Sequence, residues 1–165
     1  MAFTLLSAYY LVFCDGFVDL VQGRHRRVVL AFFDEVEGVD EARIYLIQGE
    51  GKSDGTFPIR PYNREDPTYG SVNLKGAELA EFLGLWISQQ GNASGGAMCH
   101  DPAYGFRLYR RGSLVRETSM CWHCWNFYLS PYPGETTWAG FDAESADGKK
   151  LLEFCDTRLP YKRHK

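Results

Sequence analysis

Two stretches of the chain carry the residues best suited to chemistry: Cys99-His100-Asp101-Pro102-Ala103-Tyr104-Gly105 and Cys121-Trp122-His123-Cys124-Trp125-Asn126. Thiolates and imidazoles are the ligands that zinc prefers, and a structural zinc site takes four of them in a tetrahedron. Cys99, Cys121 and Cys124, with His100 or His123 as the fourth ligand, would make such a set. The same thiols could instead form a disulfide or a redox pair, with Cys121 and Cys124 the pair closest in sequence. They could also remain reduced and simply pack, because Trp122, Trp125 and Phe127 surround them with apolar bulk. Zinc knuckles usually carry small residues, so this aromatic crowding keeps all three readings open.

For any of these, the two stretches must meet in space. Phe106-Arg107-Leu108-Tyr109 alternates as a half-buried strand does. Arg111-Gly112 is a turn signal, since glycine tolerates positive φ. Leu114 to Met120 then runs back, which returns Cys121 and Cys124 toward Cys99. A two-residue loop would oppose Arg107 to Arg116, and a three-residue loop would oppose Arg107 to Glu117. Opposite charges across a strand pair favour the second.

Cys121-Trp122-His123-Cys124 resembles the Cys-Pro-His-Cys of thioredoxin-like disulfide oxidoreductases, in which a histidine between the thiols lowers a cysteine pKa. The likeness covers four residues. The segment before it, Arg116-Glu117-Thr118-Ser119, is not an apolar buried strand, and Trp125-Asn126-Phe127-Tyr128 favours a strand over the helix that fold requires. A wider pattern, Cys-His-x-Pro-x-Tyr-Gly-x-Arg followed by Cys-Trp-x-Cys-x-Asn, is similar to one in small bacterial proteins of no known activity. That resemblance spans about Cys99 to Leu129 and implies a bacterial source. A c-type haem would need histidine where Trp125 stands. Gly51-Lys52-Ser53 lacks the earlier glycine of a phosphate loop, since Leu46 occupies that place.

The 165 residues suit a single domain, 1–165, able to bury a sizeable core. A net charge of −3 gives no electrostatic case for nucleic acid. The basic clusters Arg24-His25-Arg26-Arg27 and Lys162-Arg163-His164-Lys165 read as a solvated loop and terminus. Asp34, Glu35, Glu37, Asp40 and Glu41 read as a solvated acidic turn rather than catalytic carboxylates. Ala2 to Phe13 is apolar but has no basic n-region or A-x-A site and is too short to span a membrane. It is expected to be a buried strand or short helix. Together with an odd cysteine count, this points to the cytoplasm, where cysteine clusters more often bind metal or do redox work.

The elements that position the cysteines follow from patterning. Val28–Phe33 is an apolar run of undecided type, Ala42–Ile47 a strand, and Gly49–Gly55 and Pro58–Pro67 loop-rich, with Ile59 extended. Leu74–Gln89 is a helix with Leu79, Phe82, Leu83 and Trp86 on one stripe, Asn73 as its cap and Gly91 as its stop. Trp125–Leu129 and Thr136–Phe141 are strands joined through a turn at Pro131-Tyr132-Pro133-Gly134. A last helix starts at Ser145 and buries Leu151, Leu152, Cys155 and Leu159. The fold class is α+β, an antiparallel sheet with a hairpin-based Cys/His centre and two main helices. Trp122, Trp125, Tyr128, Tyr132 and Trp138 either pack or line a binding groove. The expected function is a non-catalytic domain that binds another protein, without a nucleic-acid or membrane partner, around a structural cysteine cluster with zinc as its candidate metal. The alternative is a thiol-redox protein using Cys121 and Cys124.

Overall fold

The computed structural model describes residues 26–60, 62–92, 99–129 and 137–161. Ala2 to Phe13, the Pro131–Gly134 turn and the basic tail lie outside them. Among the described residues the fold is α+β, as expected. Its elements are α1 (26–34), β1 (Glu41–Leu46), β2 (Gly55–Ile59), β3 (Arg64–Thr68), β4 (Ser71–Leu74), α2 (Gly76–Ser88), β5 (Tyr104–Arg110), β6 (Ser113–Cys121), β7 (Asn126–Leu129), β8 (Thr137–Gly140) and α3 (Ala146–Arg158). Six strands form an antiparallel sheet in the order β4-β1-β5-β6-β7-β8, and β2 and β3 form a separate two-stranded hairpin.

The side-chain period of two divides the sheet into two faces. One face presents Ala42, Ile44, Phe106, Leu108, Met120, Phe127 and Ala139 to the three helices, and together they form the main core. Phe82 of α2 sits 5.7 Å from Phe106 and 5.9 Å from Phe154 of α3, ring centroid to centroid. Phe33 of α1 lies 5.1 Å from both Trp86 and Phe127. The opposite face is partly covered by the β2–β3 hairpin, where Phe57 and Ile59 join Tyr45 and Ile47 in a second, smaller cluster. Contact there is close. A Cβ on Gly105 would lie 2.7 Å from the Phe57 ring, so the absence of a side chain lets the hairpin settle on β5.

Several local expectations are corrected. Gly49 to Asp54 is loop as expected, but Pro58 to Pro67 is not mainly loop: Thr56, Phe57 and Ile59 supply strand-forming side chains, and β2 and β3 pair from Gly55↔Thr68 to Ile59↔Arg64. Asn73 is not a helix cap. It lies in β4 opposite Arg43, whose Nε donates to its Oδ1 at 2.5 Å, and α2 begins only after Lys75, which has no side-chain cap bond. Leu79, Phe82 and Trp86 are buried as expected, but Leu83 is only half-buried. On α3, Ser145 is the cap, its Oγ accepting from Gly148 N–H at 3.0 Å. The buried face is Leu151, Phe154 and Cys155, with Leu152 and Leu159 half-buried.

The β5–β6 hairpin pairs Arg107 with Glu117, but by a route different from the one expected. The loop has only two residues, Arg111 (φ 51°) and Gly112 (φ 76°), as a type I′ turn requires. A register shift between Leu108 and Tyr109 then moves the partners by one, so the charges oppose each other despite the short loop.

Candidate functional site

The face of the sheet away from the helices carries a line of polar side chains at alternate positions. Strand β6 contributes Glu117, Ser119 and Cys121, β7 contributes Asn126 and Tyr128, and β8 contributes Trp138 opposite Tyr128. Arg107 of β5 donates from Nε to Glu117 at 2.8 Å and lies 5.0 Å over the Phe57 ring and 5.1 Å over Tyr45. Burial disfavours its charge, but the bonds to Glu117 and Tyr45 prevail and raise its pKa. The loop before β5 brings Cys99 and His100 to this face.

His100 is buried, and both of its ring nitrogens are engaged. Nδ1 lies 2.7 Å from Asn126 Oδ1, and Nε2 lies 2.7 Å from Ser119 Oγ. The protons can be placed. Asn126 Nδ2 donates to the Cys99 carbonyl at 2.6 Å, which orients the amide so that Oδ1 faces the ring. Nδ1 therefore carries the proton, and Nε2 accepts from the Ser119 hydroxyl. Burial pushes the His100 pKa down to about 4 against the opposing bond to Asn126, so the ring is neutral at pH 7. Trp138 closes over it edge-on, with ring centroids 4.6 Å apart, and Tyr62 in turn lies 5.8 Å from Trp138.

The sulfurs gather beside this network. Cys99 and Cys124 form a disulfide, with Cα atoms 6.0 Å apart. It joins the loop before β5 to the turn between β6 and β7. Cys121 is a buried free thiol, and Cys124 N–H donates to its sulfur at 3.2 Å. Burial raises its pKa, while main-chain N–H groups of Asp101, Cys124 and His123 act in the other direction. His123 is exposed on the turn. The final residue of that turn, Trp125, adopts φ 55° and is 38% exposed. Cys155 is free and buried in the helical core, where burial drives its pKa far up. Cys14 lies outside the described residues.

The structure therefore brings Cys99, His100, Cys121 and Cys124 into one region. Cys124 is bonded to Cys99, and Cys121 is a free thiol. Among the described residues no group of three or more His, Cys, Asp and Glu side chains is placed to hold a metal ion. Two of the three sulfurs share a bond, and the His100 nitrogens already have partners. Of the aromatic set, Tyr128 is buried, Trp138 is half-buried over His100, and Trp122 packs on Tyr104 and Phe141 while its indole N–H donates to Gly148 O at 3.0 Å. Trp125 is the exposed member, and Tyr132 lies outside the described residues.

Ser119, His100 and Asn126 stand in the order nucleophile, base and orienting group of an acyl-transfer relay. Ser119, however, has no exposed surface and sits mid-strand opposite Gly105, so a substrate carbonyl has no approach to its hydroxyl. The arrangement instead satisfies a buried histidine completely, which removes the cost of an unpaired polar group in the interior. Sequence reasoning missed Ser119 and Asn126 as partners of His100. Glu117, Ser119 and Cys121 alternate along β6, but the opposite positions are Arg116, Thr118 and Met120, so no contrast between faces marks Ser119.

No protein family matches the chain, and no match is found among curated proteins or solved structures.

Proposed function

We propose that this chain is a non-catalytic binding domain whose Cys/His centre is structural and whose partner is another protein. The observation that supports the reading most directly is His100, buried, neutral and bonded on both nitrogens, tied through Asn126 to the backbone of disulfide-bonded Cys99. A general base must reach a substrate proton, and a cysteine that reacts with an external substrate is partly exposed with a lowered pKa. His100 and Cys121 have the opposite properties. A protein partner is favoured by the exposed aromatics Tyr62 and Trp125, and the net charge of −3 gives no global electrostatic case for nucleic acid.

A Cys99–Cys124 disulfide persists in an oxidising compartment, and in the cytoplasm expected from the sequence it is reduced. Among the described residues no helix is long and apolar enough to cross a membrane. Zinc belongs to this reading as a competitor of the disulfide, through Cys99, Cys121 and Cys124 when reduced. Metal analysis of freshly purified chain measures which of the two is present.

The experiment pairs a dithiol-reductase assay on an insulin substrate with thermal melting of wild type and Cys124→Ser. A structural centre predicts no catalysed reduction by wild type and a lowered melting temperature for the variant. Catalysed reduction that requires Cys124, with wild-type-like melting of the variant, would establish the thiol-redox alternative instead.

A further inference from the structure

We infer that the three sulfurs beside His100 form an internal thiol–disulfide switch, in which the bond moves from Cys99–Cys124 to Cys121–Cys124 and releases Cys99 as an exposed thiol. The inference goes beyond the binding role and does not depend on it. A single disulfide with no neighbouring thiol can only be reduced or left intact. Here a free thiol lies in the same turn as one half of the bond: Cys121 Sγ accepts from the backbone N–H of Cys124 at 3.2 Å. This donor favours a thiolate as it forms, against the burial that holds the thiol's pKa up.

The step balances without an external oxidant. Cys121 loses its proton to water and its thiolate attacks Cys124 Sγ. The Cys121–Cys124 bond forms, the Cys99–Cys124 bond breaks, and Cys99 leaves with the electron pair and takes up a proton. One disulfide and one thiol are present before and after. The surface changes, because Cys121 and Cys124 are buried whereas Cys99 is exposed. In the starting form both described free thiols, Cys121 and Cys155, are shielded. After exchange the chain displays one accessible thiol on the loop before β5, and that loop is no longer covalently tied to the β6–β7 turn. Cys99 then becomes a site for a low-molecular-weight disulfide or an alkylating electrophile.

The test is iodoacetamide labelling of the folded, oxidised chain without added reductant, followed by peptide mapping of both label and disulfides. The switch predicts label accumulating on Cys99 in molecules that carry a Cys121–Cys124 bond, with Cys155 unlabelled. It also predicts at least a tenfold slower labelling of Cys99 in Cys121→Ser, and a Cys121–Cys124 bond in oxidised Cys99→Ser. Label on Cys99 in molecules with Cys121 and Cys124 both free, or equal labelling in Cys121→Ser, would overturn the inference. So would free Cys121 and Cys124 thiols in oxidised Cys99→Ser. If Cys121→Ser does not fold, the wild-type disulfide map and Cys99→Ser still decide.

Discussion

On the helix-covered face of the sheet, Phe82, Trp86, Phe106 and Phe154 meet ring to ring, and the helices add Val29, Leu79 and Leu151 to the same core. On the other face, His100, Ser119 and Asn126 meet through hydrogen bonds, Arg107 meets Glu117, and Cys99 is bonded to Cys124. The first kind of contact is non-directional and scales with apolar area, so it tolerates substitutions that preserve volume. The second kind fails when one partner is removed, because the group left behind is buried and unpaired. The difference teaches where each face can change. The helical face can drift in sequence while still folding, whereas the Cys/His face needs its residues as a set.

The largest effect should come from the helical face. Phe82→Ala empties a fully buried position and should cost about 3–5 kcal/mol in a urea titration. Half-buried Leu83 should cost clearly less when truncated. Equal losses at the two positions would mean that the stripe packs uniformly and that the face is not as described.

Removing the disulfide should come next. The bond closes a loop with a sequence separation of 25, which corresponds to about 3 kcal/mol of unfolded-state entropy. Cys124→Ser removes the observed bond and any Cys121–Cys124 replacement, and disulfide mapping of the variant checks for a Cys99–Cys121 bond. A stability unchanged in non-reducing denaturant titration would show that the clamp is not structural.

Gly105→Ala should have a smaller but definite effect. Its Cβ would press on the Phe57 ring at 2.7 Å, and overpacking of this kind costs about 1–3 kcal/mol. Phe57→Leu in the same chain should recover part of the loss. Additive losses in the double variant would show that the hairpin does not rest on Gly105.

The two faces also differed in how far the sequence revealed them. The α2 stripe, the Ser145 cap and the β5–β6 hairpin could be read because each depends on local periodicity or turn chemistry. The β2–β3 hairpin was hidden by Pro58 and Pro67, which read as loop although an isolated two-stranded ribbon leaves edges where proline is tolerated. The meeting of Cys99 with Cys124 was legible as proximity but not as a choice between pairings, because hairpin topology sets distance and not which sulfurs bond. His100 was visible as a candidate, but its partners lie 19 and 26 residues away on two other strands, and no local signal links them. The Arg107–Glu117 pairing was anticipated from charge, while the register shift that produces it left no sequence mark.

The central claim is that His100 is a buried, neutral structural residue, and its own titration tests this most directly. The folded pKa of about 4 lies below the usual histidine value of 6.5, so between those values the unfolded chain binds more protons than the folded one. Stability should therefore be full above pH 6.5 and decline as the pH falls toward 4, by roughly 3 kcal/mol over the whole window. The measurement is an NMR pH titration of the His100 ring protons in the folded chain, with assignment by His100→Gln. The account predicts a midpoint near pH 4, with the Nδ1-protonated neutral ring persisting through pH 6. A midpoint near 6.5 would place the imidazole in contact with water and contradict the account.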